Sequence, residues 1–253
     1  MNIDDRRQCI LDLVNTQKEI SFLEIREAIP DVSEMTLRRD LEYLSQNNKI
    51  VRVLGGAKSV DSLVSISEDA FVKRYTENIE SKTIIAQKAV QLLQQDSTIF
   101  LGSGTTAMQV AKHFPNGRYH ITTTGLNCAI ELSALEDASI FVLGGSVNKN
   151  SYCANGSVAS QMVDNMSFYI SFLGISGYVS GRGFFTSVVE DYILRQKIVE
   201  RSEHVAILMD STKVARKGIY SFAQLENVDY VITDGMLPQD IVDEMTAKGV
   251  TVL

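Results

Sequence analysis

Four short stretches of this 253-residue chain carry residue types suited to holding an anion. Gly102-Ser103-Gly104-Thr105-Thr106 follows the apolar run Thr98-Ile99-Phe100-Leu101 and leads into a helical pattern. Glycines let backbone N–H groups come close to a bound group, hydroxyls add donors, and a helix N-terminus adds a positive partial charge. Thr123-Thr124-Gly125 ends the run His120-Ile121-Thr122 in the same way, and Gly144-Gly145 ends Ser139 to Leu143. Asp210-Ser211-Thr212-Lys213 ends Val205 to Met209, with a lysine as possible counter-charge. Any one of these is an ordinary tight turn. Together, at the ends of strands, they predict a phosphate pocket built from Ser103, Gly104, Thr105, Thr106, Thr123, Thr124, Gly144, Gly145 and Lys213.

A different chemistry is offered near the N-terminus by Ser33-Glu34-Met35-Thr36-Leu37-Arg38-Arg39-Asp40-Leu41. Ser33 is suited to cap a helix, because its hydroxyl can accept from a free N–H of the first turn. Leu37, Leu41 and Leu44 recur at helical spacing and predict one buried stripe. Ser33, Glu34, Thr36, Arg38 and Arg39 are left with hydrogen-bonding groups off that stripe. Arginine suits guanine edges or phosphates, and threonine suits a phosphate or a thymine methyl, so this face has the chemistry of a helix lying in a DNA major groove.

The elements that must position these residues are legible on both sides. Asp4 to about Asn15 is amphipathic, with Ile10, Leu11 and Val14 on its apolar face. Ser21-Phe22-Leu23-Glu24 is a capping box opening a short helix that Pro30-Asp31 ends. After the candidate recognition helix, Ile50 to Leu54 reads as a strand, Gly55-Gly56 as a hairpin turn, and Ala57 to Val60 as the return. Three helices and a hairpin make a winged helix-turn-helix, with Arg52 and Lys58 of the wing available to phosphates. From Lys82 onward, short apolar strands alternate with helices, the pattern of an α/β domain with a largely parallel sheet. The expected organisation is a DNA-binding domain over residues 1–60, a linker over 61–80 and an α/β effector domain over 81–253.

Composition bounds the function classes. Formal net charge is −7 and hydrophobic residues make up 45% of the chain. The N-terminal domain is close to charge balance and less acidic than the rest. With no run of eighteen apolar residues and no signal-peptide core, a membrane span is not expected and a cytoplasmic location is. Cys9, Cys128 and Cys153 are widely spaced and read as free thiols of a reducing compartment. His113, His120 and His204 show no metal or catalytic spacing, so no metal, cofactor or catalytic residue is expected.

The chain resembles, over nearly its full length, the DeoR family of bacterial sugar-metabolism regulators. The resemblance rests on Ser33-x-x-Thr36-Leu37-Arg38-Arg39-Asp40-Leu41, Gly55-Gly56-Ala57 and Phe71-x-x-Arg74-x-x-x-Asn78-x-x-x-Lys82-x-x-Ile85-Ala86. Ser103-Gly104-Thr105-Thr106, Leu143-Gly144-Gly145, Asp210-Ser211-Thr212-Lys213 and Ile232-Thr233-Asp234 complete it. It implies a winged helix on double-stranded operator DNA and a C-terminal domain resembling sugar-phosphate isomerases and deaminases. That domain would bind a phosphorylated sugar as inducer. It also implies a repressor rather than an enzyme, and a homo-oligomer, dimer or tetramer. The chain departs from the family pattern where Gly102 and Ser176 stand at positions often acidic, and where Thr212-Lys213-Val214-Ala215 replaces Ser-Lys-Phe-Gly.

Two other readings come from the same residues. Gly102-x-Gly104-x-x-Ala107 after a strand fits a dinucleotide fingerprint, which would make the chain an NAD(H) redox sensor. The acid that should hold the ribose is replaced by Thr122-Thr123-Thr124. A sugar-phosphate isomerase or deaminase would need an acid/base pair, for which Glu190, Asp191 and Asp210 are the candidates.

Overall fold

The computed structural model describes residues 3–17, 19–30, 32–47, 49–53, 55–59 and 71–253. The chain divides into two compact units, Met1–Ser67 and Glu68–Leu253.

In the first unit, α1 (Ile3–Gln17), α2 (Phe22–Ala28) and α3 (Glu34–Gln46) pack around Ile10, Val14, Ile25, Leu37, Leu41 and Leu44, all buried. The capping box forms as its residues dictate: Ser21 Oγ accepts from Glu24 N at 3.2 Å, and the Glu24 carboxylate accepts from Ser21 N at 2.8 Å. Ser33 caps α3, accepting from Thr36 N at 3.3 Å. Each cap contributes about 1 kcal/mol. The wing is β2 (Ile50–Val53) and β3 (Gly56–Ser59), an antiparallel pair. A short strand, β1 (Glu19–Ser21), pairs with the other side of β3. The sequence pattern does not show β1, because three residues are too few for an alternation to register.

The second unit opens with α4 (Phe71–Thr76) and α5 (Ile79–Ala89). Residues 71–80, assigned from the sequence to a linker, are thus helical or turn and belong to this unit; residues 61–70 lie outside the described residues. Phe71 explains why, since it is buried and packs edge-on against Tyr152, with ring centroids 5.2 Å apart.

The sheet strands are β4 (Ser97–Leu101), β5 (Tyr119–Thr123), β6 (Ser139–Val142), β9 (Phe168–Gly174), β12 (Ser202–Met209), β14 (Tyr230–Thr233) and β15 (Thr251–Val252). They run parallel in the order β15-β14-β12-β9-β4-β5-β6. Apolar clusters around Phe100 and around Ile99 cover its two faces, as a sheet of near-continuous apolar strands requires. The chain steps outward from β4 through β5 to β6, then returns to β9 on the other side of β4. That reversal opens a crevice beyond the carboxyl ends of β4 and β9.

Outside the main sheet, β7 (Ser146–Asn148) and β8 (Cys153–Asn155) form a hairpin. The strands β10 (Gly177–Val179), β11 (Gly183–Thr186) and β13 (Tyr220–Ala223) form a small antiparallel sheet. The other helices are α6 (Thr105–Lys112), α7 (Leu126–Leu132), α8 (Ser157–Val163), α9 (Val189–Glu200) and α10 (Gln239–Ala247).

Candidate effector site and DNA-reading surface

A recess lies at the crevice. Ser103 to Thr106 after β4, Gly174 and Ile175 at β9, and Asp210, Thr212 and Lys213 after β12 form one side. Arg74, Glu77, Asn78 and Lys82 of α4 and α5, with Ser151, Arg195 and Arg216, complete it. Gly104 adopts φ +103°, a conformation only glycine takes without strain, and caps α6 with no side-chain hydrogen bond. The first N–H groups of α6 therefore face the recess with the positive end of the helix dipole behind them. A Cβ on Gly104 would lie 3.9 Å from Arg74 Nη1, so that guanidinium stands over the bare glycine.

The cationic side chains are held by identifiable partners. Arg74 donates to Asn150 O at 3.1 Å. Lys82 is buried, and its ammonium donates to the carbonyls of Arg74 and Glu77, securing the end of α4. Burial, and next the charge of Lys213, push the Lys82 ammonium below the ordinary lysine value. Arg195, also buried, donates to Gly174 O and lies 3.5 Å from Asp191, whose other oxygen accepts from Asn155 Nδ2 at 2.8 Å. Asn78 takes a left-handed conformation (φ 51°), and its side chain makes no cap bond to α5. Its amide instead reaches Thr212 Oγ1 at 3.4 Å, tying the two sides of the recess together.

The loop after β12 is fixed by two carboxylates. Asp210 accepts from Thr212 N at 3.0 Å and from the Thr212 hydroxyl. Asp234 accepts from Ser211 N at 3.2 Å and from Ser211 Oγ at 3.1 Å. Burial works against its ionisation, but the N–H groups of Ser211 and Met236 and the hydroxyls of Thr233 and Ser211 hold its carboxyl below the ordinary value. Of the three candidate acid/base groups, Asp191 and Asp210 are thus bound into structural networks, and Glu190 is solvent-exposed at the start of α9.

Of the predicted phosphate ligands, Ser103, Gly104, Thr105, Thr106 and Lys213 come together in the recess. Thr123, Thr124, Gly144 and Gly145 do not. Thr123 is fully buried, its hydroxyl accepting from Gly125 N at 3.0 Å. Thr124 O accepts from Ala154 N at 2.9 Å. Gly144 N points at Met162 Sδ, 3.4 Å away. A Cβ on Gly145 would stand 2.3 Å from Asn155 O. The β7–β8 hairpin covers these strand ends. Arg74, Asn78, Lys82, Arg195 and Arg216 were not among the predicted ligands. Arg74, Asn78 and Lys82 carried a signal in their four-residue spacing; Arg195 and Arg216 carried none.

In the first unit, Arg38 and Arg39 are exposed on α3. The Arg38 guanidinium lies over the Phe22 ring, 4.4 Å from its centroid. Glu34 is paired with Arg26 at 2.6 Å, and the Thr36 and Ser33 hydroxyls lie 2.9 Å apart. Arg52 is exposed on β2, and Lys58 sits on β3 opposite Val51 and Glu19. Asp40 had no role in the sequence reading. It is buried and clamped by Arg6 at 2.6 Å and Arg7 at 2.9 Å, joining α1 to α3. Removing one member of such a buried pair costs about 3–5 kcal/mol.

Among the described residues, no helix is long and apolar enough to cross a membrane, and no group of three or more His, Cys, Asp or Glu side chains could hold a metal ion. A model of the DeoR-like helix-turn-helix domain matches residues 6–63, and one of the DeoR C terminal sensor domain matches residues 77–235. The HTH-type transcriptional regulator GlpR of Haloferax volcanii is 30% identical over 98% of this chain and 96% of its own length. The lactose phosphotransferase system repressor of Staphylococcus epidermidis is 31% identical over 92% and 93%. The putative aga operon transcriptional repressor of Escherichia coli O157:H7 is 28% identical over 98% and 93%. Ribose 5-phosphate isomerase A from Methanocaldococcus jannaschii aligns with 54% of this chain and 54% of its own, at 15% identity and a TM-score of 0.40. The family matches and the full-length relatives together show that this chain belongs to the DeoR family of helix-turn-helix transcriptional regulators.

Proposed function

We propose that the chain is a cytoplasmic repressor of a carbohydrate-metabolism operon, and that a phosphorylated sugar bound in the recess releases it from operator DNA. The observation that carries the effector half is the recess itself. An uncapped helix N-terminus meets five cationic side chains, Arg74, Lys82, Arg195, Lys213 and Arg216, against two carboxylates, Glu77 and Asp210. One of those carboxylates is already engaged by Thr212. Such a site favours a dianionic phosphate over any neutral ligand. The names of the relatives agree, since two are named as repressors, one of the aga operon and one of the lactose phosphotransferase system.

Phosphate would sit on Ser103, Gly104, Thr105 and Thr106, with Lys213 as counter-charge. The effector acts by binding one arrangement of the protein better than another, and DNA and sugar phosphate then oppose each other by typically 1–3 kcal/mol. A single winged helix reads one half-site, so the working species is a homo-oligomer. The test is fluorescence anisotropy of labelled DNA from the gene's own upstream region, titrated with individual sugar phosphates and with NADH as a control. Release by one sugar phosphate is the expected result. DNA binding that no sugar phosphate reverses would overturn the effector half of the proposal.

A further inference from the structure

Each residue of an α-helix advances by about 100° around the axis, so the buried Leu37, Leu41 and Leu44 fix the inward pole of α3. The outward pole lies about half a turn away, between Met35 and Arg39. The contacts on the flanks agree with this construction. Toward α2, Glu34 is held by Arg26 at 2.6 Å and Arg38 is stacked on Phe22. Toward α1, the Tyr43 ring lies beneath Arg7, 3.5 Å from its guanidinium carbon. Met35 stands between these flanks, 67% exposed, in the first turn of the helix.

A lone exposed methionine says little on an ordinary surface. At the outward pole of a groove-reading helix it says more. The thioether is a weak acceptor with no donor, and it packs best against apolar groups. The apolar feature of base edges in the major groove is the thymine methyl. We infer that Met35 is a specificity-determining residue that packs on a thymine methyl of the operator half-site. Arg39, on the same pole, reads a guanine edge beside it. Four residues along a helix span about 6 Å, which places that thymine and guanine within about two base-pair steps. Arg38 and Glu34, drawn toward α2, set the position of the helix. The inference rests on the DNA-binding reading of this unit and is independent of the effector.

The test begins with selection of duplexes by the full-length protein from a library randomised over about twenty base pairs, enough for two half-sites one helical turn apart. Thymines of the selected duplex are then replaced one at a time by uracil, which removes only the methyl, and affinities are read by anisotropy. At one position per half-site, uracil should weaken the wild type roughly 3- to 10-fold. Met35→Ala should bind the thymine and uracil duplexes alike there, and Met35→Gln should shift the selected base toward adenine. Arg39→Ala should lose its preference at a neighbouring guanine, whereas Arg38→Ala should weaken binding without changing the selected bases. A Met35→Ala protein with the wild-type thymine-to-uracil ratio at every position would overturn the inference while leaving DNA binding intact. If the wild type enriches no duplex, the inference and the DNA-binding reading fall together.

Discussion

The ends of β4 and β12 and the ends of β5 and β6 carry the same small, hydroxylic residue types, yet their donors go to different places. After β4, Gly104 leaves the first turn of α6 uncapped, and five cationic side chains gather around it. After β5 and β6, the hydroxyl of Thr123 accepts from Gly125 N, Thr124 O accepts from Ala154 N, and Gly145 abuts Asn155. The difference is positional. β4 and β9 flank the point where strand order reverses, so the connections leave these two strand ends in opposite directions. β5 and β6 lie on one side of it, and the β7–β8 hairpin crosses their ends. In an α/β sheet, an anion site is thus selected by topology first and residue type second.

The largest effect that would break this comparison is at Thr105. Thr105→Glu places a carboxylate against the N-terminus of α6 and should weaken binding of inorganic phosphate roughly 100-fold, about 2.7 kcal/mol, with operator affinity unchanged. Calorimetry and anisotropy on the same preparation check it, and near-normal phosphate binding would remove the recess from its assigned role.

The covered strand ends should respond in the opposite sense. Gly145 has φ +143° as well as the close approach to Asn155 O, so Gly145→Ala should destabilise the protein by about 2 kcal/mol. Thr123→Val leaves Gly125 N without its buried acceptor and should cost about 1 kcal/mol. Both are read from urea unfolding. Phosphate affinity of the folded variants should stay within a factor of two of wild type by order of magnitude. A ten-fold loss in either would mean that the two sets of strand ends are coupled after all.

The strand-end loops and the buried stripe of α3 were legible beforehand, the division between the two sets of loops was not, and the reason is physical. Helical spacing gave α3 its buried stripe, because Leu37, Leu41 and Leu44 have one face to bury. The strand-end loops were found because glycine and hydroxyl residues mark chain reversals. The sequence did not show which loops meet, since strand order is a long-range property and β9 joins β4 across more than sixty intervening positions. Arg195 was invisible for a related reason. On α9 it looks like any helix-surface cation, and only the fold brings it to Gly174 O.

The smallest expected effect sharpens the electrostatics of the recess. Lys82 holds its proton less tightly in the folded protein than in the unfolded chain. Folding therefore releases a proton between the lowered value and the ordinary lysine value near 10.4, so without anion its contribution to stability rises with pH through that window. A bound dianion favours the protonated ammonium. Phosphate affinity should accordingly fall a few-fold as pH rises from about 8, where phosphate is already a dianion, through the lowered Lys82 value. Lys82→Arg, which does not titrate there, should abolish that decline. Calorimetric titration across the series checks it, and a decline that persists in the variant would assign it to another group.

The clamp on Asp40 has a consequence for how the first unit sees DNA. Arg6 and Arg7 share the single charge of Asp40, and Arg26 is paired with Glu34, so these five side chains together carry one net positive charge. Each phosphate that a protein neutralises displaces condensed counterions and adds about −0.9 to the slope of log affinity against log salt. Arginines already paired within the unit add little to that slope. The salt dependence of DNA binding should therefore fall more on the exposed Arg38, Arg39 and Arg52 than on Arg6, Arg7 and Arg26.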